Sequence, residues 1–464
     1  MSYPMGEEVP LKYKMLVGLT PCMMFVLTGI IGYGTTNVLP EVVENANAVA
    51  LYSVVTLLIQ VVNTLSSPLA GCLGDIFGRK KLIVGCLVPF TISTALIGLS
   101  QNALVLCIAI FVMSFTFSIC QSSTSAMIFD AVEGKLMSTL MGIRHSAGQM
   151  AFLLGPIVAG VLTTAIGARN AYLLMAPLGL ISLILVALFT PDIKYQRKSS
   201  RIDWLGTLLL FLSMGGISLL LTLGGSSFSW ISVNSLVLLL LFLLGGYFFY
   251  QTEKKADNPV IELSIFSHRE MMPMMLYKIL MQTSNGVFGA YLILYCQEIM
   301  NMSSAKTGLF GLARIAAILG SSFVGGWMAR KKCLLASEHA ATLMCFAAGM
   351  IGVFIWPEMP FGILMLSQIL ISLNTSFGTI PLTLVIPAVL PKEQVGNGYG
   401  VFYFSENLGS VLGTAVSALI INLMGGDIGL SFRYIALSFV IFTIMRFFLT
   451  IKQFPALKNV IQKL

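Results

Sequence analysis

The segment GCLGDIFGRKK, residues 71–81, joins two long apolar runs. It contains three glycines, one acid and three bases: Gly71, Gly74, Gly78, Asp75, Arg79, Lys80 and Lys81. Glycine lets helix ends approach closely and turn sharply, because it has no side chain to separate them. A connection this short, charged and rich in glycine is expected to act as a mechanical joint between two membrane-length helices.

The composition of the chain places it in a membrane. Hydrophobic residues make up 57% and charged residues only 10%, whereas about 25% of a soluble domain is charged. A helix needs roughly 20 apolar residues to cross a bilayer, and about 14 such runs follow one another with short loops between them. We therefore predict an all-α polytopic membrane protein with about 14 transmembrane helices and no soluble enzyme domain.

The basic residues predict the orientation of the chain. If the N-terminus is cytoplasmic and the loops alternate, nearly all lysines and arginines lie inside, and only Arg169, Lys306 and Arg433 lie outside. This distribution follows the positive-inside rule. It predicts a multi-pass protein of the plasma (inner) membrane with both termini cytoplasmic. The net charge of +8 then reflects orientation, and no nucleic-acid partner is predicted.

Two polar connections suggest how the chain is divided. The segments IKYQRKSSRID (193–203) and EKKADNPVIELSIFSHRE (253–270) flank two apolar runs that contain almost nothing ionisable. Transporters are commonly built from repeats, with a site near the bilayer midplane. We predict two pseudo-symmetric six-helix bundles, at 1–192 and 270–464, and an insert of two helices with cytoplasmic linkers at 193–269.

Two motifs resemble those of the major facilitator superfamily. Residues 71–83 resemble its loop pattern G-x-L-A-D-R-x-G-R-K-x-x-L, with matches at Gly71, Leu73, Asp75, Gly78, Arg79 and Lys80. The fifth apolar run carries Gly148, then Gly155, Pro156 and Gly160. It resembles the antiporter motif G-x-x-x-G-P-x-x-G-G of the superfamily, with Ala151 and Ala159 in place of two glycines. Segments 201–206 and 259–266 are similar to those flanking the extra helices of its fourteen-helix drug:proton antiporter branch. The resemblance implies a transporter with a gating loop at 71–81 and a hinge helix around Pro156.

The resemblance also implies a charged latch at the cytoplasmic helix ends. Asp75, Arg79 and Asp130 would form it and favour an outward-facing state, with Asp130 as a candidate for proton coupling. Nearby Arg144 either belongs to this region or extends its charge to water.

The chain departs from the branch at two positions in its first half. Ile31 replaces the usual first-span acid, and Ile110 is the nearest match to the usual fourth-span arginine. The main coupling residues are therefore expected in the second half of the chain.

Three ionisable residues lie deep in apolar runs of the second half. Lys278, Arg314 and Glu406 are each about 12–15 Å into their runs at 1.5 Å per residue. Charges at that depth are costly and mark functional sites by default. We expect Lys278 or Arg314 to contact an acidic group of an anionic or amphipathic substrate, and Glu406 to exchange the coupling proton. The alternative is an ion-pair network that only fixes helix packing. Arg446, near the end of the last run, is expected to extend to water.

Uncharged polar side chains complete the predicted lining of the substrate site. In the second half these are Gln282, Asn285, Gln297, Gln368, Asn374 and Asn407. In the first half they are Tyr33, Asn37, Gln60, Asn63, Gln121 and Gln149. The eight cysteines are scattered, so neither a metal site nor a cofactor is predicted.

The leading functional prediction is a secondary active exporter of small hydrophobic or amphipathic compounds, coupled to protons and working by alternating access. The alternative is a specific organic-anion or metabolite transporter, an importer or exchanger, that uses the intramembrane bases. A receptor or scaffold without transport is disfavoured, since it needs no gating loop. The chain has neither a catalytic constellation nor a phosphate-binding loop. The expected partners are a small organic substrate, protons and the lipid bilayer, with no obligate protein partner evident.

Overall fold

A computed structural model gives the fold of the protein. It describes residues 2–4, 10–45, 52–132, 134–194, 203–225, 228–256, 259–302, 304–330, 333–391, 394–425 and 427–463. Within these ranges the side chains of some residues, Asn37 and Gln60 among them, lie outside what is described.

Fourteen α-helices account for most of the described ranges. They are α1 (Leu11–Asn45), α2 (Tyr52–Phe77), α3 (Arg79–Leu99), α4 (Ala103–Ala131), α5 (Gly134–Ile166), α6 (Ala168–Phe189), α7 (Trp204–Leu223), α8 (Val233–Glu253), α9 (Met271–Glu298), α10 (Ser304–Arg330), α11 (Leu334–Val353), α12 (Phe361–Val389), α13 (Val395–Leu423) and α14 (Ile428–Lys463). A 3₁₀ helix, Leu263–Ser267, precedes α9. Two three-residue strands, β1 (Ser2–Pro4) and β2 (Asp192–Lys194), pair in parallel with Ser2 opposite Asp192. The predicted helical class is confirmed, with this short pairing as an addition.

Most of these helices have the character of membrane spans. In the part of the chain that the structure describes, twelve are long and apolar enough to cross a membrane: α1, α3–α8 and α10–α14. The remaining two are α2 and α9. The chain is therefore a multi-pass helical membrane protein, and the count of fourteen spans stays a prediction.

The chain forms two compact units that do not follow simple halves. The first comprises Met1–Phe211, Phe248–Leu263 and Lys392–Tyr403. The second comprises Leu212–Tyr247, Ser264–Pro391 and Phe404–Leu464. The predicted domain boundaries, at 192/193 and 269/270, stay a prediction. Each unit is described by itself below.

Helices α1 and α5 of the first unit pack through small residues. A methyl group on Gly34 would lie 2.8 Å from the carbonyl oxygen of Gly155 and 2.8 Å from Cβ of Ala159. One on Gly155 would lie 2.9 Å from the backbone nitrogen of Gly34. Small residues at helix interfaces allow this approach of backbones. Gly155 of the antiporter-like motif therefore serves helix packing here.

An aromatic cluster holds the helices of the second unit together. The ring of Phe288 on α9 lies 5.5 Å from that of Phe432 and 4.9 Å from that of Phe439, both on α14. All three side chains are buried. Such pairs add to the free energy gained by burying apolar area. The cluster fixes α9 against α14, the helices that carry Lys278 and Arg446.

Candidate functional site

The predicted gating loop contains a one-residue turn between α2 and α3. Gly78 has φ of +85°, and its amide donates to the carbonyl of Gly74 at 3.0 Å. This left-handed conformation favours glycine. The turn puts Arg79 at the first position of α3, one helical turn after Asp75 at the end of α2. Lys80 follows as a half-buried residue.

Two carboxylates share the guanidinium of Arg79. Its Nη2 lies 3.0 Å from Oδ1 of Asp75, and its Nε lies 2.5 Å from Oδ2 of Asp130. The Asp130 side chain, near the end of α4, is only 1% exposed. Charge-assisted hydrogen bonds of this kind are about twice as strong as neutral ones. The structure thus brings together the three residues predicted to form the latch.

Glycines let the first turns of α13 lie against α2 within the first unit. A methyl group on Gly71 would lie 2.7 Å from the carbonyl oxygen of Gly396, and one on Gly396 would lie 2.8 Å from Oδ1 of Asp75. A methyl group on Gly400 would lie 2.9 Å from the carbonyl oxygen of Ser67. The backbone of α13 therefore covers the Asp75 carboxylate directly.

Arg144 on α5 is buried, so its charge does not extend to water. Its Nη2 donates to the carbonyl oxygen of Gln121 at 3.0 Å. Its guanidinium lies 5.2 Å from the ring centre of Phe25 and 4.7 Å from that of Tyr403. The negative faces of aromatic rings attract a cation. Among the described residues its Nε has no hydrogen-bond partner.

The predicted lining of the first half is brought together in part. Gln121 on α4 donates from Nε2 to the Tyr33 hydroxyl on α1 at 3.3 Å. The Tyr33 ring packs edge-on against Phe117 and Phe152, with both ring centres 5.3 Å away. Gln149 is half-buried on α5.

The structure describes the other predicted positions of the first half only in part. The side chains of Asn37 and Gln60 lie outside the described residues. Asn63 accepts from the Ser118 hydroxyl through its backbone oxygen at 2.8 Å. In the hinge helix, a methyl group on Gly148 would lie 2.6 Å from Cε1 of Phe25, whereas one on Gly160 would meet nothing within 4 Å.

The second unit contains an ion pair between helices α9 and α13. Nζ of Lys278 lies 3.2 Å from Oε2 of Glu406, and it donates to the Thr379 hydroxyl at 3.0 Å. Gln282 donates to the other carboxylate oxygen of Glu406 at 3.2 Å. Lys278 is fully buried, whereas the Glu406 side chain is 26% exposed. Gly409 allows this approach of α13 to α9, because a methyl group there would lie only 2.9 Å from Cβ of Gln282.

A chain of amides extends from this ion pair through the unit. Asn285 donates to the oxygen of Gln282 and to the Thr375 hydroxyl, each at 3.2 Å. Asn374 on α12 donates to the oxygen of Asn285 at 3.0 Å. Arg446 on α14 donates to the oxygen of Asn374 at 2.8 Å. Glu406 and Arg446 are therefore the two ends of one hydrogen-bonded path, which we call the amide chain.

The prediction that Arg446 extends to water is wrong. The side chain is fully buried. Its Nε and Nη2 donate to the Thr342 hydroxyl on α11 at 3.2 and 3.1 Å, and its guanidinium lies 5.1 Å from the ring centre of Tyr277. The helix continues to Lys463, and these partners from three other helices hold the guanidinium inside the unit.

Arg314 is not brought to the ion pair by any described hydrogen bond or ion pair. It is half-buried on α10, and its Nε has no hydrogen-bond partner among the described residues. Gln297 donates to the Thr307 hydroxyl at 3.0 Å. Gln368 is fully buried, and both polar atoms of its amide lack hydrogen-bond partners within the described ranges. Asn407 is half-buried beside Glu406 on α13.

Glu338 is a buried acid of this unit that was not predicted from the sequence. Its side chain is 1% exposed, and its Oε2 has no hydrogen-bond partner among the described residues. It lies four residues after the start of α11, in the segment ASEHAATLM (336–344). An acid so close to a helix end is usually solvated. The one signal in the sequence is that Glu338 is an acidic residue inside a mostly apolar run.

Membrane-spanning helices with buried charges define a polytopic helical membrane protein. The sequence profile of the Major Facilitator Superfamily matches residues 21–360. The chain belongs to this superfamily, as the loop and antiporter-like motifs predicted.

Named relatives agree with this assignment. The multidrug transporter protein MdtP of Bacillus subtilis (strain 168) is 23% identical over 419 residues, covering 89% of this chain and 76% of its own length. The multidrug resistance protein fnx1 of Schizosaccharomyces pombe is 26% identical over 370 residues, covering 77% and 69%. The solved structure of the human organic anion transporter MFSD10 (TETRAN) has a TM-score of 0.72 at 14% identity, covering 95% of this chain and 100% of that one. The last likeness concerns the fold alone.

Proposed function

We propose that this protein exports small hydrophobic or amphipathic organic compounds in exchange for protons, by alternating access. It lies in the plasma (inner) membrane with both termini cytoplasmic. The names of its multidrug relatives support the substrate class. The distribution of lysine and arginine supports the orientation.

The observation that carries the proposal is the ion pair of Lys278 and Glu406. Ionisable residues within membrane-spanning segments are rare and usually functional. Glu406 can be reached by water or substrate, because 26% of its side chain is exposed. Lys278 and Gln282 stabilise its charged form through direct contacts.

A proton on Glu406 would change what the ion pair can bind. When the carboxylate is charged, it pairs with Lys278 at 3.2 Å, and its exposed part can bind a basic or polar group of the substrate. When it takes up a proton, it loses the charge that holds this group. Proton and substrate would thus compete for one carboxylate, which is the requirement for exchange.

The test uses purified protein in liposomes with an internal pH-sensitive dye and an imposed proton gradient. Hydrophobic cations, neutral drugs and organic acids are added in turn to wild type and to Glu406→Gln. We expect one compound class to drive proton flux in wild type and none to drive it in the variant.

Glu298→Gln is the matched control, because Glu298 is an exposed acid at the end of α9. It should transport as wild type does. Proton flux that persists unchanged in Glu406→Gln would refute the assignment of the coupling acid. Transport without any proton flux in wild type would refute proton coupling itself.

The second candidate is a transporter of a specific organic anion or metabolite. It is favoured by two buried arginines that contact aromatic rings and neutral oxygens. Arg144 lies between Phe25 and Tyr403, and Arg446 lies beside Tyr277. Such cations can receive an anionic group without first losing an acid.

A panel of cationic dyes separates the two candidates. An exporter of hydrophobic cations should extrude them from loaded liposomes, whereas an anion carrier should not. Uptake of radiolabelled organic acids with unchanged dye retention would favour the second candidate.

A further inference from the structure

Glu338 and Arg446 form a second charged site at the far end of the amide chain from Glu406. The Thr342 hydroxyl donates to the carbonyl oxygen of Glu338 at 2.8 Å and accepts from Arg446 at 3.1–3.2 Å. The arginine is thereby held one helical turn along α11 from the acid. No part of the proposed exchange at Glu406 uses these residues.

Each of the two side chains has one polar atom that makes no described hydrogen bond. Among the described residues, neither Oε2 of Glu338 nor Nη1 of Arg446 has a hydrogen-bond partner. Both side chains are buried. A charged carboxylate is costly to bury when one of its oxygens has no partner, and the cost falls when it takes up a proton. Arg446 meanwhile directs its other nitrogens to Thr342 and Asn374.

Among the described residues, Glu338 has one strong countercharge nearby. This is Arg446 on α14, and the Tyr277 hydroxyl on α9 is a titratable group that also lies close to Glu338. His339 on α11 itself packs its ring against Phe447, 6.0 Å between centres. The charge of Glu338 can therefore be balanced either by a proton or by a turn of Arg446 away from Asn374.

We propose that Glu338 is a second proton-binding carboxyl, which holds its proton while Arg446 binds Asn374 and becomes the ion-pair partner of Arg446 when that proton leaves to water. In the first arrangement the amide chain to Glu406 is complete. In the second, the bond of 2.8 Å between Arg446 and Asn374 is broken. Protonation at Glu338 and at Glu406 is thereby linked, and this linkage rests on the proposed proton coupling.

The test is infrared difference spectroscopy of the purified full-length protein in liposomes, with protons as the only ligand. A protonated carboxyl has a carbonyl stretch that a carboxylate lacks. We expect wild type to show such a band that disappears as the pH rises. It should be absent in Glu338→Gln and retained in Glu406→Gln. Glu358→Gln, at an exposed acid, is the matched control and should leave the band unchanged.

Persistence of the full band in Glu338→Gln would overturn the proposal. If that variant does not fold, Glu338→Asp provides the second measurement, and an unchanged pH of disappearance would also overturn it. Arg446→Lys should move the pH of disappearance, because the compact ammonium places the countercharge of Glu338 differently from the planar guanidinium.

The same variants in the liposome assay separate this proposal from the proposed function. Loss of the band in Glu338→Gln together with wild-type proton flux supports the site and refutes its link to Glu406. Absence of proton flux in wild type refutes proton coupling and leaves the infrared result valid for Glu338.

Discussion

The two units arrange their buried charges in different ways. In the first, two acids share Arg79 at the ends of helices, and Asp130 is 1% exposed. In the second, Glu406 pairs with Lys278 well inside α13 and α9, stays 26% exposed and continues into the amide chain. A covered triad at helix ends fixes geometry, whereas a partly exposed pair inside the helices can exchange partners. We therefore expect the Arg79 triad to fix geometry and the pair of Lys278 and Glu406 to take part in exchange.

Removing the shared base of the first unit should give the largest loss of stability. Arg79→Ala would leave Asp75 and Asp130 as neighbouring buried acids without a counter-charge. Breaking a buried ion pair from one side costs about 3–5 kcal/mol. We expect a loss of this size in the free energy of unfolding, measured by thermal unfolding in detergent.

Lys80→Ala is the matched control for that experiment. Lys80 is half-buried and takes part in neither of the two described ion pairs of the triad, so the change should stay within about 0.5 kcal/mol. Equal effects of the two variants would show that the triad contributes nothing beyond local charge.

Alanine variants of two close-packed glycines should distinguish an effect on helix packing from an effect on proton exchange. Gly155→Ala would press on the backbone nitrogen of Gly34 at 2.9 Å. Gly409→Ala would press on the carbonyl oxygen of Ile279 and, at 2.9 Å, on Cβ of Gln282. Overpacking costs about 1–3 kcal/mol in either unit. Only Gly409→Ala should also change the pH dependence of transport, because Gln282 binds Glu406.

Gly160→Ala controls for helix propensity, since its methyl group would meet nothing within 4 Å. It should be neutral or stabilise by up to about 1 kcal/mol. An altered pH profile in Gly155→Ala would contradict the division of roles between the units.

The first unit could be predicted well from the sequence because two of its charges are close along the chain. Asp75 and Arg79 are four residues apart, and the positive φ of Gly78 follows from the need for a tight turn. Their partner Asp130 lies far from both along the chain and was predicted from the superfamily's charged latch, by resemblance. Local spacing placed two members of the triad, and the resemblance was needed for the third.

The second unit could be predicted only in part because its partners are distant in sequence. Depth in a span identified Lys278 and Glu406, but it could not separate them from Arg314. Arg446 was misjudged because its partners, Thr342 and Asn374, come from other helices. Distance from a helix end therefore does not predict burial when other helices cover the side chain.

Lys278→Met tests whether the ion pair serves exchange more than stability. The variant leaves Glu406 without its base, at a cost of roughly 1–2 kcal/mol once the exposure of Glu406 is allowed for. Adding Glu406→Gln should recover most of that loss, since no charge is then unpaired. A double-mutant cycle by thermal unfolding measures this coupling. No recovery in the double variant would contradict the pairing.

The smallest effect is expected at the hydrogen bond between Tyr33 and Gln121. Tyr33→Phe removes the hydroxyl that accepts at 3.3 Å and keeps the ring contacts with Phe117 and Phe152. We expect a loss of about 0.5 kcal/mol in stability and an unchanged pH profile of transport. Gln282→Leu, which removes a bond to Glu406, should shift that profile. If Tyr33→Phe shifts it as much, the first unit takes part in proton exchange, and the contrast between a fixed and an exchanging unit fails.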